Sequence, residues 1–194
     1  RCQLYKSLYP TADIICGDIR DDKIKSKLKQ YSSDIVIASP PCQGISIAGL
    51  YRNNELRLKD ERNFLIFHAI EVIKSINPKF ILFENVSAFG SMHLPFKGEL
   101  KSVVDILKSQ FGREYNLESK IVDCANYGVP QKRERVFILG SKYEKPVEPT
   151  KTHNKTTDHK DGRLPVVTVG EALKGLDTDV FFDPEEVVSG KWEK

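Results

Sequence analysis

The hydrophobic positions fall into short apolar runs that alternate with longer amphipathic stretches. Residues 13–17 (Asp-Ile-Ile-Cys-Gly) read as a short strand, with Asp18-Ile19 behind it, and residues 22–30 as a Lys-rich exposed helix. The run 34–38 (Asp-Ile-Val-Ile-Ala) reads as a buried strand that stops at Pro40-Pro41. Residues 45–60 are loop-like. Over 62–76, Leu65, Ile66, Ala69, Ile70, Val72, Ile73 and Ile76 form one broad helical stripe, which Asn77-Pro78 ends. Residues 80–83 (Phe-Ile-Leu-Phe) are a further buried strand running into Glu84-Asn85-Val86. Leu100, Val103, Val104, Leu107 and Phe111 follow helical spacing, so 98–111 is predicted as a helix, stopped by Gly112. Residues 117–124 and 135–140 read as strands joined through 126–131. A surface connection spans 144–165, with Pro146, Pro149 and Pro165, and 166–176 suggests a strand and a short helix. Residues 177–194 lack clear periodicity.

Strands alternating with helices argue for an α/β fold with a mostly parallel sheet. The closeness of the last two strands suggests a mixed sheet with an antiparallel end. At 194 residues, 40% hydrophobic and 29% charged, the chain suits one globular core. Catalytic residues are expected within 1–176, with 177–194 opening a further region or linker.

No run approaches a membrane span, and no signal peptide is seen, so a cytoplasmic setting is expected. Cys2, Cys16, Cys42 and Cys124 are widely spaced, and the histidines make no metal-ligand spacing. A disulfide framework is therefore not expected, nor is a metal. The net charge of +3 permits a polyanionic partner without requiring one.

Parallel strands bring their carboxyl ends to one sheet edge, where ligands of open α/β sheets gather. Asp18, Cys42, and Glu84 with Asn85 stand at three such ends. Each has a plainer reading. Cys42 on its own stretch reads equally as a small buried thiol, Asp18 as a helix N-cap, and Glu84 as a surface carboxylate. A cysteine near a carboxyl group also suits covalent catalysis on an electron-poor ring. Arg133 and Arg135, two apart in an extended segment, point the same way and suit a carboxylate or phosphate, or else a solvated charge run.

Taken together, these segments resemble the C5-cytosine DNA methyltransferases. Pro40-Pro41-Cys42-Gln43-Gly44 resembles that family's catalytic-cysteine motif, Glu84-Asn85-Val86 its glutamate motif, and Gln131-Lys132-Arg133-Glu134-Arg135 its Gln-x-Arg-x-Arg motif. Gly17-Asp18-Ile19 matches the place where the family meets the adenine of S-adenosylmethionine. Asp60-Glu61-Arg62-Asn63, Pro78-Lys79-Phe80 and Asn126-Tyr127-Gly128-Val129-Pro130 match linking segments, and the resemblance runs from about residue 5 to about 176.

The resemblance implies a Rossmann-like S-adenosylmethionine-dependent methyltransferase fold and methyl transfer to C5 of a cytosine flipped out of double-stranded DNA. It implies Cys42 as nucleophile, Glu84 at the ring nitrogen, Asn85 supporting the loop, and Arg133 and Arg135 orienting the Glu. Asp18, Ile19, Pro41 and Leu65 would face the cofactor, and Gln43, Ser46 and Arg52 the DNA. Ile45 departs from the usual Phe. The glycine-rich first motif and the ribose-binding acid are expected before Arg1, and target recognition after the chain's last residue. The fold is thus expected to be incomplete here, the chain alone inactive, and its sheet edge paired with another copy or rearranged. A restriction-modification role is the usual setting. An RNA cytosine methyltransferase, disfavoured by Gly44, and a non-catalytic DNA-binding remnant are the competing readings.

Overall fold

In the computed structural model, described for residues 2–41, 60–155 and 161–176, the chain divides into two compact units. The first comprises Arg1–Val122 and Glu134–Thr150, the second Asp123–Arg133 and Lys151–Lys194.

The first unit is built on a four-stranded sheet. β1 (Ile35–Ala38), β2 (Phe80–Val86), β5 (Asn116–Asp123) and β6 (Glu134–Ser141) lie in the order β1-β2-β6-β5. β1 and β2 are parallel, with Val36 opposite Ile81 and Ala38 opposite Phe83. β2 and β6 are antiparallel, with Phe83 opposite Ile138 and Val86 opposite Arg135. The sheet is thus mixed, as the sequence suggests.

Side chains alternate along β2, so Ile81, Phe83 and Asn85 face inward with Val136 and Ile138 of β6. Two helices complete this core. α3 (Leu65–Ile76) supplies Ile66, Ile70 and Ile73, and α4 (Val103–Phe111) supplies Val103, Ile106, Leu107 and Phe111. α3 is led in by a 3-10 turn, Glu61–Phe64, and ends at Asn77 in the left-handed region (φ 53°), with Pro78 next. Gly140 is needed on β6: a Cβ there would lie 2.6 Å from Ile81 Cγ1 and 2.9 Å from Leu117 Cδ2. The buried Tyr115 hydroxyl donates to the Pro78 carbonyl at 2.6 Å, tying the end of α4 to the start of β2.

Two further helices precede β1. α1 (Cys2–Leu8) buries none of its residues. α2 (Asp22–Leu28) is capped by Asp21, whose carboxylate accepts from the Lys23 amide at 2.8 Å. In the second unit, β7 (His153–Asn154) pairs in parallel with β8 (Leu164–Pro165), and α5 (Val169–Ala172) carries a Thr168/Glu171 capping box. No helix among the described residues is long and apolar enough to cross a membrane.

Four expectations are corrected. Residues 13–17 form no strand, because no neighbour among the described residues offers them a ladder of hydrogen bonds. The expected helix 98–111 begins only at Val103. Before it, β3 (His93–Phe96) and β4 (Glu99–Ser102) form a hairpin around Lys97-Gly98. Both turn residues have positive φ, 52° and 83°, as a two-residue primed turn requires. Leu100, assigned to the helix stripe, is 59% exposed on this hairpin. β1 is not buried on both faces: Ile35 (56% exposed) and Ile37 (67%) lie on the face that no described layer covers. Finally, Cys2 and Cys16 are joined in a disulfide, their Cα atoms 6.3 Å apart, within reach of such a bond. Their 14-residue separation carries no signal of this in sequence.

The hairpin has a direct test. Ile106→Ala, at a fully buried site, is expected to cost about 2–5 kcal/mol in denaturant unfolding. Leu100→Ala is expected to stay within about 0.5 kcal/mol. A loss at Leu100 matching that at Ile106 would restore the longer helix.

Candidate active site

Of the polar groups singled out in the sequence, Glu84, Asn85 and Arg135 come together where β1 and β2 end. Alternation along β2 turns Glu84 to the face opposite the core, while Asn85 turns inward and is buried. Arg135 stands opposite Val86, hence diagonally across from Glu84 on the same face. Its Nε lies 3.3 Å from Glu84 Oε1, and the two side chains are only 19% and 31% exposed. The other carboxylate oxygen, Oε2, accepts from the Ser39 hydroxyl at 2.8 Å. Arg135 is steadied in turn by donating through a terminal guanidinium nitrogen to the Glu134 carbonyl at 2.7 Å.

Asn85 closes the inner side of this edge. Its Nδ2 donates to the Pro40 carbonyl at 2.7 Å, and its Oδ1 accepts from the Val86 amide at 2.9 Å. Two consecutive residues beyond β1, Ser39 and Pro40, are thus tied to two consecutive residues of β2. Proline 40 and proline 41 have fixed φ and no amide proton, so this end is stiff.

Beside it lies a cavity of about 300 Å³ between β1 and α3. Its walls are almost wholly apolar: Val36, Ala38, Pro40 and Pro41 on one side, Leu65, Ala69 and Val72 on another, with Ile19 and Leu28 closing it. Ser39 is the polar exception. Ile19, Pro41 and Leu65, three of the positions expected to face the cofactor, therefore line one space. An apolar slot of this size suits the faces of a purine ring.

Asp18 adjoins Ile19 and is half exposed. It does not cap α2, since Asp21 does. Its carboxylate accepts from the Arg20 side chain (shortest contact 2.7 Å) and from the Arg20 backbone amide (2.9 Å). These bonds hold the Asp18 carboxyl at about 2, well below its ordinary 3.8, and raise Arg20 in turn. Arg20 also reaches Glu61 at 2.9 Å. Asp18 thus remains an anionic acceptor, with Arg20 meeting both of its carboxylate oxygens.

Arg133 belongs to the second unit and is exposed. Its backbone amide donates to Asp123 Oδ1 at 3.2 Å and its carbonyl accepts from Cys124 N at 3.0 Å. The guanidinium that Glu84 meets is that of Arg135. Cys42, Gln43, Ile45, Ser46 and Arg52 lie outside the described residues. Two contributors escaped the sequence reading, Ser39 and Arg20. Each sits one or two residues from a motif position, as a small or basic residue at a strand or turn end, a signal too common to single out.

This is an α/β methyltransferase fold. It superposes on a prophage-encoded E. coli protein assigned to the DNA modification methyltransferases, with a TM-score of 0.60 over 90% of this chain and 45% of that one, at 24% identity. The sequence profile of the C-5 cytosine-specific DNA methylases matches residues 1–188, and the chain belongs to that family. It is 37% identical over 176 residues to the type II methyltransferase M1.HgaI of Avibacterium volantium, covering 88% of this chain and 49% of that protein. M1.HphI of Haemophilus parahaemolyticus is 28% identical over 176 residues, 88% of this chain and 45% of that protein. The chain spans about half the length of these curated relatives.

The Asp18–Arg20 pair fixes a pH dependence. Because the folded carboxyl lies below its unfolded value, the pair stabilises above pH 3.8 and its contribution is lost as pH falls toward 2. Carbon-13 NMR of the side-chain carboxyl is expected to give a midpoint near 2, returning toward 3.8 in Arg20→Ala. An unchanged midpoint in that variant would show that another group holds the charge.

Proposed function

We propose that the protein bearing this chain transfers a methyl group to C5 of cytosine in double-stranded DNA, within a bacterial restriction-modification system and in the cytoplasm. The observation that carries this reading is Glu84 on β2, held by Arg135 and by Ser39, the residue that leads from β1 into Pro40-Pro41-Cys42. Membership of the cytosine-C5 methylase family and the type II relatives support it.

Cytosine C5 is a weak nucleophile. Cys42, as thiolate, adds to C6 of a base flipped from the duplex, forming a carbon–sulfur bond and pushing an electron pair toward C5. Glu84 hydrogen-bonds the ring at N3 and stabilises the charge that develops there. Arg135 orients Glu84, and Asn85 holds the Pro40 carbonyl and with it the start of the Cys42 loop. Arg133 and Arg135 would contact the target nucleotide, Arg135 nearer the base. S-adenosylmethionine, when bound, supplies an electrophilic methyl group. Ile19, Pro41 and Leu65 would enclose its adenine and Asp18 would accept from the adenine amino group. After C5 takes the methyl, loss of the C5 proton restores the double bond and expels the Cys42 thiolate. Gln43, Ser46 and Arg52 would contact the DNA around the flipped base. Residues 1–176 carry these roles, with 177–194 leading toward target recognition.

The full-length protein, given labelled S-adenosylmethionine and duplex DNA, is expected to yield 5-methylcytosine. Cys42→Ala should lower the rate by at least about 10³-fold. DNA carrying 5-fluorocytosine should trap a denaturant-resistant complex with the unsubstituted protein and none with Cys42→Ala. Turnover surviving the Cys42 substitution would refute the covalent route.

A further inference from the structure

We infer that Ser39 is a positioning residue for Glu84, fixing the rotation of its carboxylate. The inference rests on the role proposed for Glu84. Ser39 follows the last residue of β1, and the parallel register that sets Ala38 opposite Phe83 carries the chain on to bring Ser39 beside Glu84. Its hydroxyl donates to Oε2 at 2.8 Å, whereas the Arg135 guanidinium meets Oε1 at 3.3 Å.

An ion-pair partner on Oε1 and a hydrogen-bond donor on Oε2 matter because the terminal torsion of a glutamate is broad and intrinsically loose. Arg135 alone leaves Oε1 as a pivot about which Oε2 can swing. The Ser39 hydrogen bond removes that freedom. It does so without adding charge, and Oε2 keeps a second lone pair with which to meet a substrate ring. Ser39 is itself exposed, so its hydroxyl has no packing role to confuse with this one. No described helix starts here for it to cap. The next residue, Pro40, is bonded to Asn85, so the carboxylate and the chain leading toward Cys42 are set by adjacent links from the end of β1 to β2.

The test uses the full-length protein and its methylation of duplex DNA. Ser39→Ala is expected to lower kcat about ten- to hundredfold, the scale of a displaced catalytic group, with both KM values within about twofold. Ser39→Thr, which keeps the hydroxyl, should recover most of the rate. In a Glu84→Ala background, read by single-turnover rates, adding Ser39→Ala should cause no further loss. An unchanged kcat, a rise in KM alone, a Thr variant as impaired as the Ala variant, or losses that multiply would each overturn the role. Full turnover by Glu84→Ala would instead overturn the assignment of Glu84, and the role of Ser39 with it. Loss in Glu84→Ala beside full turnover in Ser39→Ala would overturn the role of Ser39 alone.

Discussion

The position of β2 between β1 and β6 is the constraint on which the rest of the site depends. One neighbour runs parallel and the other antiparallel, so the end of β2 meets the outgoing end of β1 and the incoming start of β6. Glu84 thereby receives a hydroxyl from one strand and a guanidinium from the other. A slip of one residue would turn Glu84 into the core and Asn85 outward. The core forbids this: Ile81 and Phe83 are both 1% exposed, against Val136 and Ile138 at 2% and 1%. The register that buries these side chains is the register that presents the carboxylate.

The two arginine–carboxylate pairs differ in kind. Arg135 and Glu84 are mostly withdrawn from solvent and joined on a rigid strand pair, where fixed geometry is retained. Arg20 and Asp18 are half exposed, two residues apart in a turn, and solvent screens them. The first pair suits the holding of a group at a defined place. The second suits keeping a carboxylate charged while leaving it accessible.

Much of this edge was legible in the sequence because it rests on short-range facts. Apolar runs ending at Pro40-Pro41 and at Glu84-Asn85 located two strand ends, and the run 135–140 located the strand that carries Arg135, though not Arg133. The helix over 65–76 followed from its stripe and its Asn77-Pro78 stop. What failed was decided by partners distant in the chain or, at Leu100, by a local turn. Residues 13–17 have strand composition but no ladder. Leu100 has helical spacing with Val103 and Val104, yet Lys97-Gly98 turns the chain, a pair weaker as a sequence signal than Asn-Gly. The Cys2–Cys16 bond and the Ser39 hydroxyl on Glu84 depend on approach in space, across 14 and 45 positions of sequence.

The cavity beside the site is an extension of the core. Ala69, Val72 and Ile73 of α3 are buried residues of the first unit and also wall the cavity, so its back is as firm as the core itself. Its outer wall is made by Ile19 and Leu28, from the turn before α2 and from α2. That helix is joined to α3 by Lys25 and Lys29, both on Glu71, at 3.2 and 2.6 Å. Close packing adds to this: a Cβ at Gly17 would meet Ile24 Cδ1 at 2.3 Å, so a larger residue there would have to displace the Ile24 side chain. The turn that carries Asp18 and Ile19 is therefore set by α2, α2 by α3, and α3 by the same core that fixes Glu84. The Asp18 turn and Glu84 share one rigid reference, which is what the proposed transfer between two bound partners requires.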